Sequence, residues 1–192
     1  MIAIQSVDFR TAGPLDADRI AALHADSWRR HYRGAYSDTF LDGDVHVDRR
    51  AVWHERLEDP SAECCTIVAE DTGRLVGFVH TFLREDATWG SFLDNLHVAH
   101  THMRHRIGSR LLALTAKAVQ ERLPGSGLYL WVLEENLTAQ GFYQNRGGTC
   151  VERDHAQPPG GDVTRLKGSP VKLRYFWPDI TELLDTSSDV MP

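Results

Sequence analysis

The segment 97-HVAHTHMRHRIGSRLL-112 ties the end of one apolar run to the start of another. Two readings compete for it. Histidines at 97, 100, 102 and 105 have the residue type of a zinc site, since three or four neutral imidazoles can close a tetrahedron. The alternative is a strand, a short basic loop and a helix. The first turn of a helix offers backbone N–H groups with no intrahelical partner, and the helix dipole adds to them, so such a junction binds anions. Gly108 lets a phosphate come close to the backbone, and Arg104 and Arg106 bring charge. A strand–loop–helix path splays the four imidazoles apart, and no cysteine lies near them. No metal is therefore expected, while the phosphate loop stays one reading of this stretch among others, since many helices start with Gly and Arg.

The helix after the loop supports this. Ile107, Leu111, Leu114 and Ala118 recur at helical spacing, and Pro124-Gly125 ends the pattern. Working outward, "LYLWVL" (128–133) is a continuous apolar run of the kind found in a strand buried on both faces. Asn136 opens a further helix through Ala139, Phe142 and Tyr143, closed at Gly147-Gly148. Upstream, "CCTIVAEDTGRLVGFVHTFLRE" splits at Asp71-Thr72-Gly73 into a hairpin, and "TWGSFLDNLHV" (88–98) extends it to a meander. Residues 2–7 alternate as a first strand. A helix follows from Pro14 through Trp28, and a weaker one spans 48–59 ahead of Pro60. "TCVER" and "VKLRYFW" form a last strand pair. The expected order is β-α-α-β-β-β-α-β-α-β-β, a mixed α/β sheet covered by helices, in a single domain over 1–192 with a polar tail from about 181.

Composition agrees with a globular chain of 192 residues: 42% hydrophobic, 25% charged, net charge −6. That charge gives no support to a nucleic-acid partner. No run reaches the roughly 20 apolar residues of a membrane span. "MIAIQSVDFR" lacks the basic and apolar regions of a secretion signal. Three cysteines, two of them adjacent, make no disulfide framework, so a reduced, cytoplasmic protein is expected, with Cys150 buried in a strand.

Asn136, Ala139 and Tyr143 share one helical face. Read alone, Asn136 is a cap and Tyr143 is packing. Together with the basic loop and the buried strand between them, they resemble the acetyl-CoA-binding core of the GNAT N-acetyltransferase superfamily. "LDNLHVAHTHMRHRIGSRLL" is similar to its pyrophosphate motif and "LWVLEENLTAQGFYQNRGG" to the motif that follows. "LHADSWRRHYRGAYSDTFL" and "LRYFWPDITELL" resemble one subgroup, so the likeness covers nearly the whole chain. It implies that the backbone of Leu96, His97 and Val98 flanks the acetyl and pantetheine groups. It further implies that Met103, Arg104, His105, Arg106, Ile107, Gly108 and Ser109 form the phosphate loop, and that Asn136 and Ala139 meet the cofactor. Tyr143 becomes the acid that protonates the leaving thiolate, and the Val98 amide meets the oxyanion. The co-substrate implied is acetyl-CoA, the acceptor a small-molecule amine or a peptide, and the assembly a homodimer.

The chain departs from the pattern at three places. Met103 stands at the polar first position of the loop, and Arg106 stands where the family usually has its first glycine. Phe92 occupies the place of a common catalytic glutamate. Asp94, two residues on, faces the same side by strand periodicity. It is either the base that takes over, directly or through water, or a surface carboxylate; His97 and His80 are further candidates. Trp28, Tyr32 and Arg33, at the end of the first helix, are candidates for the acceptor side, and the 154–170 loop closes over it. An acyltransferase is the reading expected, against the alternative of a non-catalytic acyl-CoA-binding domain.

Overall fold

In the computed structural model, which describes residues 7–184, one seven-stranded sheet carries helices on both faces. The elements are β1 (Asp8–Thr11), α1 (Ala17–His31), α2 (Asp38–Asp42), α3 (Val45–Glu58), β2 (Cys64–Asp71), β3 (Arg74–Asp86), β4 (Gly90–Val98), α4 (Ile107–Arg122), β5 (Leu128–Leu133), α5 (Leu137–Gln144), β6 (Thr149–His155) and β7 (Val171–Trp177). The strand order is β1-β2-β3-β4-β5-β7-β6, antiparallel throughout except for β4 beside β5. Among the described residues, no helix is long and apolar enough to cross a membrane.

Local chemistry accounts for the boundaries. Asp16 Oδ2 accepts from the Gly13 amide at 2.9 Å, while Arg10 grips the same carboxylate at 2.7 and 2.8 Å, and this fixes the turn that enters α1. Thr72 and Gly73 both have positive φ, as a two-residue hairpin of the primed type requires. Asn136 caps α5 by accepting from the Ala139 amide at 3.1 Å, and Gly147 closes the helix at φ 80°.

Two layers of apolar packing hold the sheet. On one face α4 and α5 lay Leu111, Leu112, Val119 and Tyr143 against Val79, Leu93, Leu128, Leu130, Tyr175 and Trp177. On the other, α1 and α3 place Ile20, Trp53 and Leu57 on Val68, Leu75 and Phe78. Gly148 is where α5 meets β7 most tightly: a Cβ there would stand 2.5 Å from the Trp177 ring and 2.9 Å from the Tyr143 carbonyl. Gly148→Ala is expected to destabilise the fold by about 1–3 kcal/mol through overpacking. A urea-denaturation midpoint equal to that of the parent chain would count against this.

Several expectations are corrected. The strand expected at 2–7 lies mostly outside the described residues, and the first strand observed is Asp8–Thr11, with Phe9 opposite Ala69. An extra short helix, α2, raises the helix count between β1 and β2 to three; Ser37 caps it by accepting from Phe40 N–H. The α4 stripe is wider than Ile107, Leu111, Leu114 and Ala118: Leu112, Thr115, Ala116 and Val119 are buried, whereas Leu114 and Ala118 are only partly so. Cys150 is exposed rather than buried, because β6 is the sheet's outer edge and all its residues face solvent. Within the tail expected from about 181, Leu183 packs into the core beside Ile180, and residues 185–192 lie outside those described.

Candidate active site

The site is made by a fault in the sheet. Parallel β4 and β5 pair only at Ser91–Leu128, Phe92–Tyr129 and Leu93–Leu130, after which the strands part. On the other edge of β4, His80 pairs with Asn95 but Thr81 pairs with Leu93, so Asp94 is an extra residue in a bulge. A bulge bends its strand, and here the bend falls where β4 leaves β5. It also puts two consecutive side chains on the α3 side. Arg56 Nη1 lies 2.8 Å from Asp94 Oδ2 and donates to Asn95 Oδ1 at 3.0 Å. Asp94 thus shares the face of Phe92, whose ring stacks on Phe82 and Tyr129.

The α1 end covers this opening. Trp28 is buried, with the Arg49 guanidinium 4.3 Å from its ring and Tyr32 stacked on it. Tyr36 and Phe40 complete the aromatic cluster, which packs on Leu133 of β5. Burial and the nearby Asp94 charge push the Tyr32 phenol up to about 12, and Arg49 offsets part of this. The 156–170 loop is strapped across the same region: Ser37 N–H donates to the Arg165 carbonyl, Lys167 N–H to that of Ala35, and Arg165 pairs with Asp48 at 2.5 Å. Arg33 turns elsewhere, to Asp38 and Asp42 on the surface of α2.

Tyr143 enters from the opposite layer. Its ring is buried beside Phe142, Tyr175 and Trp177, and its hydroxyl has no hydrogen-bond partner among the described residues. Burial, with Tyr32 in electrostatic reach, raises the phenol above its ordinary value. Ala139 packs at the rim of the same core, and the Asn136 side-chain Oδ1 is committed to capping.

After Val98 the chain makes a 3₁₀ turn at His100–His102 and reaches α4 through a strained loop. Arg104 and Arg106 both have left-handed backbones, at φ 65° and 61°, and Arg106 is the N-cap of α4. The amides of Ile107, Gly108 and Ser109 open the helix with no carbonyl one turn behind them. A Cβ at Gly108 would lie 3.7 Å from both Phe142 and Val98, so that face of the turn is close to filled. Ser109 is held by the Arg146 guanidinium, which ties the start of α4 to the end of α5. The loop and the parted strands therefore fit a phosphate-bearing, elongated ligand: a helix N-terminus at one end, an unpaired stretch of β4 edge at the other. The side chain at 106 is exposed. The left-handed conformation explains why glycine suits this position, since an L-residue pays about 1–2 kcal/mol there. Arg106→Gly removes that strain at a backbone-entropy cost of about 0.5–1 kcal/mol. A melting temperature unchanged or higher by a few degrees is the expected result, and a fall would count against it.

The histidines diverge. His97 shares a 2.7 Å hydrogen bond with Ser27, His102 Nε2 lies 3.1 Å from Asp71 Oδ2, and His105 Nδ1 bonds the Met103 carbonyl. Among the described residues, no group of three or more His, Cys, Asp or Glu side chains could hold a metal ion. Burial lowers His97 to about 3, with His31 and Arg49 adding to the effect, and His80 to about 3, with Arg56 adding. Neither has the basicity of an ordinary imidazole.

Ser27, Tyr36, Arg49 and Arg56 belong to this region and were not singled out in the sequence. Arg49, Trp53 and Arg56 fall at i, i+4 and i+7, so a stripe of basic and aromatic side chains along one face of α3 was the available signal.

Residues 25–147 match the family described as Acetyltransferase (GNAT) family. A probable N-acetyltransferase of Mycobacterium tuberculosis is 29% identical over 146 residues, which span 73% of this chain and 79% of that protein. The structure of the PaiA N-acetyltransferase of Thermoplasma acidophilum in complex with coenzyme A aligns with a TM-score of 0.71 at 17% identity, covering 90% of this chain and 99% of that one. That of Arabidopsis thaliana NAA60 in complex with a bisubstrate analogue aligns with a TM-score of 0.60 at 19% identity, over 90% of this chain and 97% of the other. These structural likenesses are of fold.

Proposed function

Because the chain belongs to the acetyltransferase (GNAT) family, we propose that it moves the acetyl group of acetyl-CoA to an amine acceptor by direct attack in a ternary complex. The observation that carries this is the parting of β4 from β5 after Leu93 and Leu130, with Tyr32 in electrostatic reach of Asp94 on one side and of Tyr143 on the other. When bound, acetyl-CoA supplies a thioester carbonyl already activated for attack. The loop at 103–109 holds its phosphates through backbone amides, and the backbone of Leu96–Val98 lies along its acyl end, with the Val98 amide facing the oxyanion.

Tyr143 gives its hydroxyl proton to the departing sulfur. Burial that raises the phenol acts alike on a thiolate forming in the same apolar surroundings, so the two remain matched. Asp94 takes the proton of the amine, directly or through water. Arg56 holds the carboxylate at 2.8 Å and thereby sets its direction. An acceptor that arrives partly neutral needs little help of this kind. Trp28 and Tyr32 shape the acceptor side, and holding both substrates together supplies much of the acceleration.

Arg56 on Asp94 and Arg106 at the glycine position favour one second reading, a domain that binds acyl-CoA without turning it over. One experiment separates them: calorimetric titration with acetyl-CoA, followed by thiol release in the presence of an amine panel. Micromolar affinity, about −8 kcal/mol, with amine-dependent thiol release supports the enzyme. Binding without release supports the second reading, and no heat up to millimolar acetyl-CoA overturns both.

A further inference from the structure

The stretch between β4 and α4 carries two non-glycine residues in the left-handed region, Arg104 at φ 65° and Arg106 at φ 61°. Such a backbone costs free energy and persists only where the surroundings over-determine it. On the far side the stretch is held by α4, whose Ile107 is buried and whose Ser109 is bound by Arg146. On the near side, Ala99 N–H donates to the Val76 carbonyl at 2.8 Å. In between, His100, Thr101, Arg104, His105 and Arg106 are exposed, and the side chains that are partly enclosed are His102 and Met103. His102 reaches a different hairpin. Its Nε2 lies 3.1 Å from Asp71 Oδ2, and its Nδ1 lies 2.9 Å from the Thr101 hydroxyl. A carboxylate only accepts, so Nε2 carries the hydrogen, and in a neutral ring Nδ1 then accepts from Thr101. Both ring nitrogens are spent inside the protein, so this imidazole acts on the loop and not on a ligand.

Asp71 ends β2, and the hairpin tip beside it is fixed from α1: Arg19 donates to the Gly73 carbonyl at 2.8 Å and pairs with Glu70 at 2.7 Å. An aspartate next to a turn commonly accepts from the turn's own amides. Asp86 does so, from Thr88 at 2.7 Å and Trp89 at 3.0 Å. Asp71 does not. Its Oδ2 faces His102, and its Oδ1 is enclosed without a hydrogen-bond partner among the described residues. An enclosed carboxylate oxygen left unpaired costs free energy. The turn therefore gives no account of where this side chain stands, and His102 does.

We propose that Asp71 and His102 are positioning residues for the binding of a pyrophosphate. The β2–β3 hairpin holds His102, and His102 fixes the start of the strained stretch that α4 fixes at its end. The conformation of residues 103–106 is kept between these two points, and with it the approach to the free amides of Ile107, Gly108 and Ser109. This rests on the reading of that loop as the seat of the acetyl-CoA phosphates.

The test is calorimetric titration of the parent chain and of a double-mutant cycle with acetyl-CoA. Asp71→Ala and His102→Ala are each expected to weaken binding about tenfold, as for the loss of one hydrogen bond to a charged group. The double variant is expected to bind no more weakly than either single one, because the two side chains act as one anchor. Asp71→Asn keeps an acceptor for Nε2–H and is expected to lose less. With an amine that the parent acetylates, the KM for acetyl-CoA rises in the variants while kcat at saturation stays. His54→Ala removes a like pair elsewhere, with Asp18 at 2.8 Å, and is expected to leave the affinity unchanged. Melting curves check folding, and where an alanine variant does not fold the smaller loss in Asp71→Asn carries the comparison. Parental affinity in the folded variants, or losses that add in the double variant, would overturn the pair and spare the acetyl-CoA reading. No heat from the parent chain up to millimolar acetyl-CoA would overturn both.

Discussion

Tyr143→Phe is expected to lower kcat by about 10²–10⁴-fold, the range of a lost general acid, with acetyl-CoA affinity nearly unchanged. The substitution is conservative for the fold. The hydroxyl has no hydrogen-bond partner to lose, and the ring contacts with Phe142 at 5.3 Å and with Tyr175 and Trp177 at 6.0 Å survive. A large drop in turnover with an unchanged melting temperature therefore isolates the proton. The pH profile adds a second readout: if the phenol is the donor, the variant's remaining activity loses its fall on the alkaline side. Unchanged turnover would remove Tyr143 as the acid and shift attention to Tyr32, which stands in its electrostatic reach.

Mild acid is expected to destabilise the protein before its carboxylates titrate. His24, His80 and His97 are fully or nearly fully buried, and each is held below the ordinary imidazole value, chiefly by burial. The charges that face them are cationic and push the same way: His97, Arg49 and Arg56 on His24, Arg56 on His80, and His31 and Arg49 on His97. In the unfolded chain these imidazoles titrate near 6.5. Below that pH the unfolded state binds more protons than the folded one, so stability falls as pH falls. With folded values of about 3 for His80 and His97, the loss starts near pH 6.5 and levels off near 3. Each contributes about 1.4 kcal/mol per pH unit in between. At pH 4.5 these two alone cost roughly 5 kcal/mol, against a typical total of about 5–15 kcal/mol. His24 acts in the same direction. Urea midpoints compared at pH 7.5 and 5.0 test this, in a window above the range where Asp16 and Glu70 begin to matter. The same comparison in His80→Gln is expected to show a shallower dependence. A midpoint that stays level down to pH 5.0 would show that the imidazoles become protonated in the folded state without penalty.

The parts of the site that lie within one element could be read from the chain. The strand at 128–133 and the helices that start at Ile107 and just after Asn136 follow from apolar runs, period-3.6 stripes and capping residues, all of which act over a few residues. The Asn136, Ala139 and Tyr143 face comes from the same local geometry. Thr72-Gly73 marked the hairpin because so few residue pairs accept two positive φ values in succession. Even the oddity of Arg106 was visible as a departure from a glycine, although its left-handed backbone was not.

What the chain alone did not disclose depends on register and on neighbours far away in sequence. The bulge at Asp94 exists because β3 and β4 slip against each other, a relation between residues 80–81 and 93–95 that no local pattern encodes. The convergence of Arg49 and Arg56 on Trp28 and Asp94 depends on how α3 crosses the sheet, and the exposure of Cys150 on β6 having no outer neighbour. Hydrophobic periodicity determined which segments are helices and strands and which face of each is buried, since burial along one element is a local property. Tertiary structure decided where β4 and β5 part and which charges meet there. Those are differences between nearly equal alternatives of packing and pairing, settled only when the whole sheet forms.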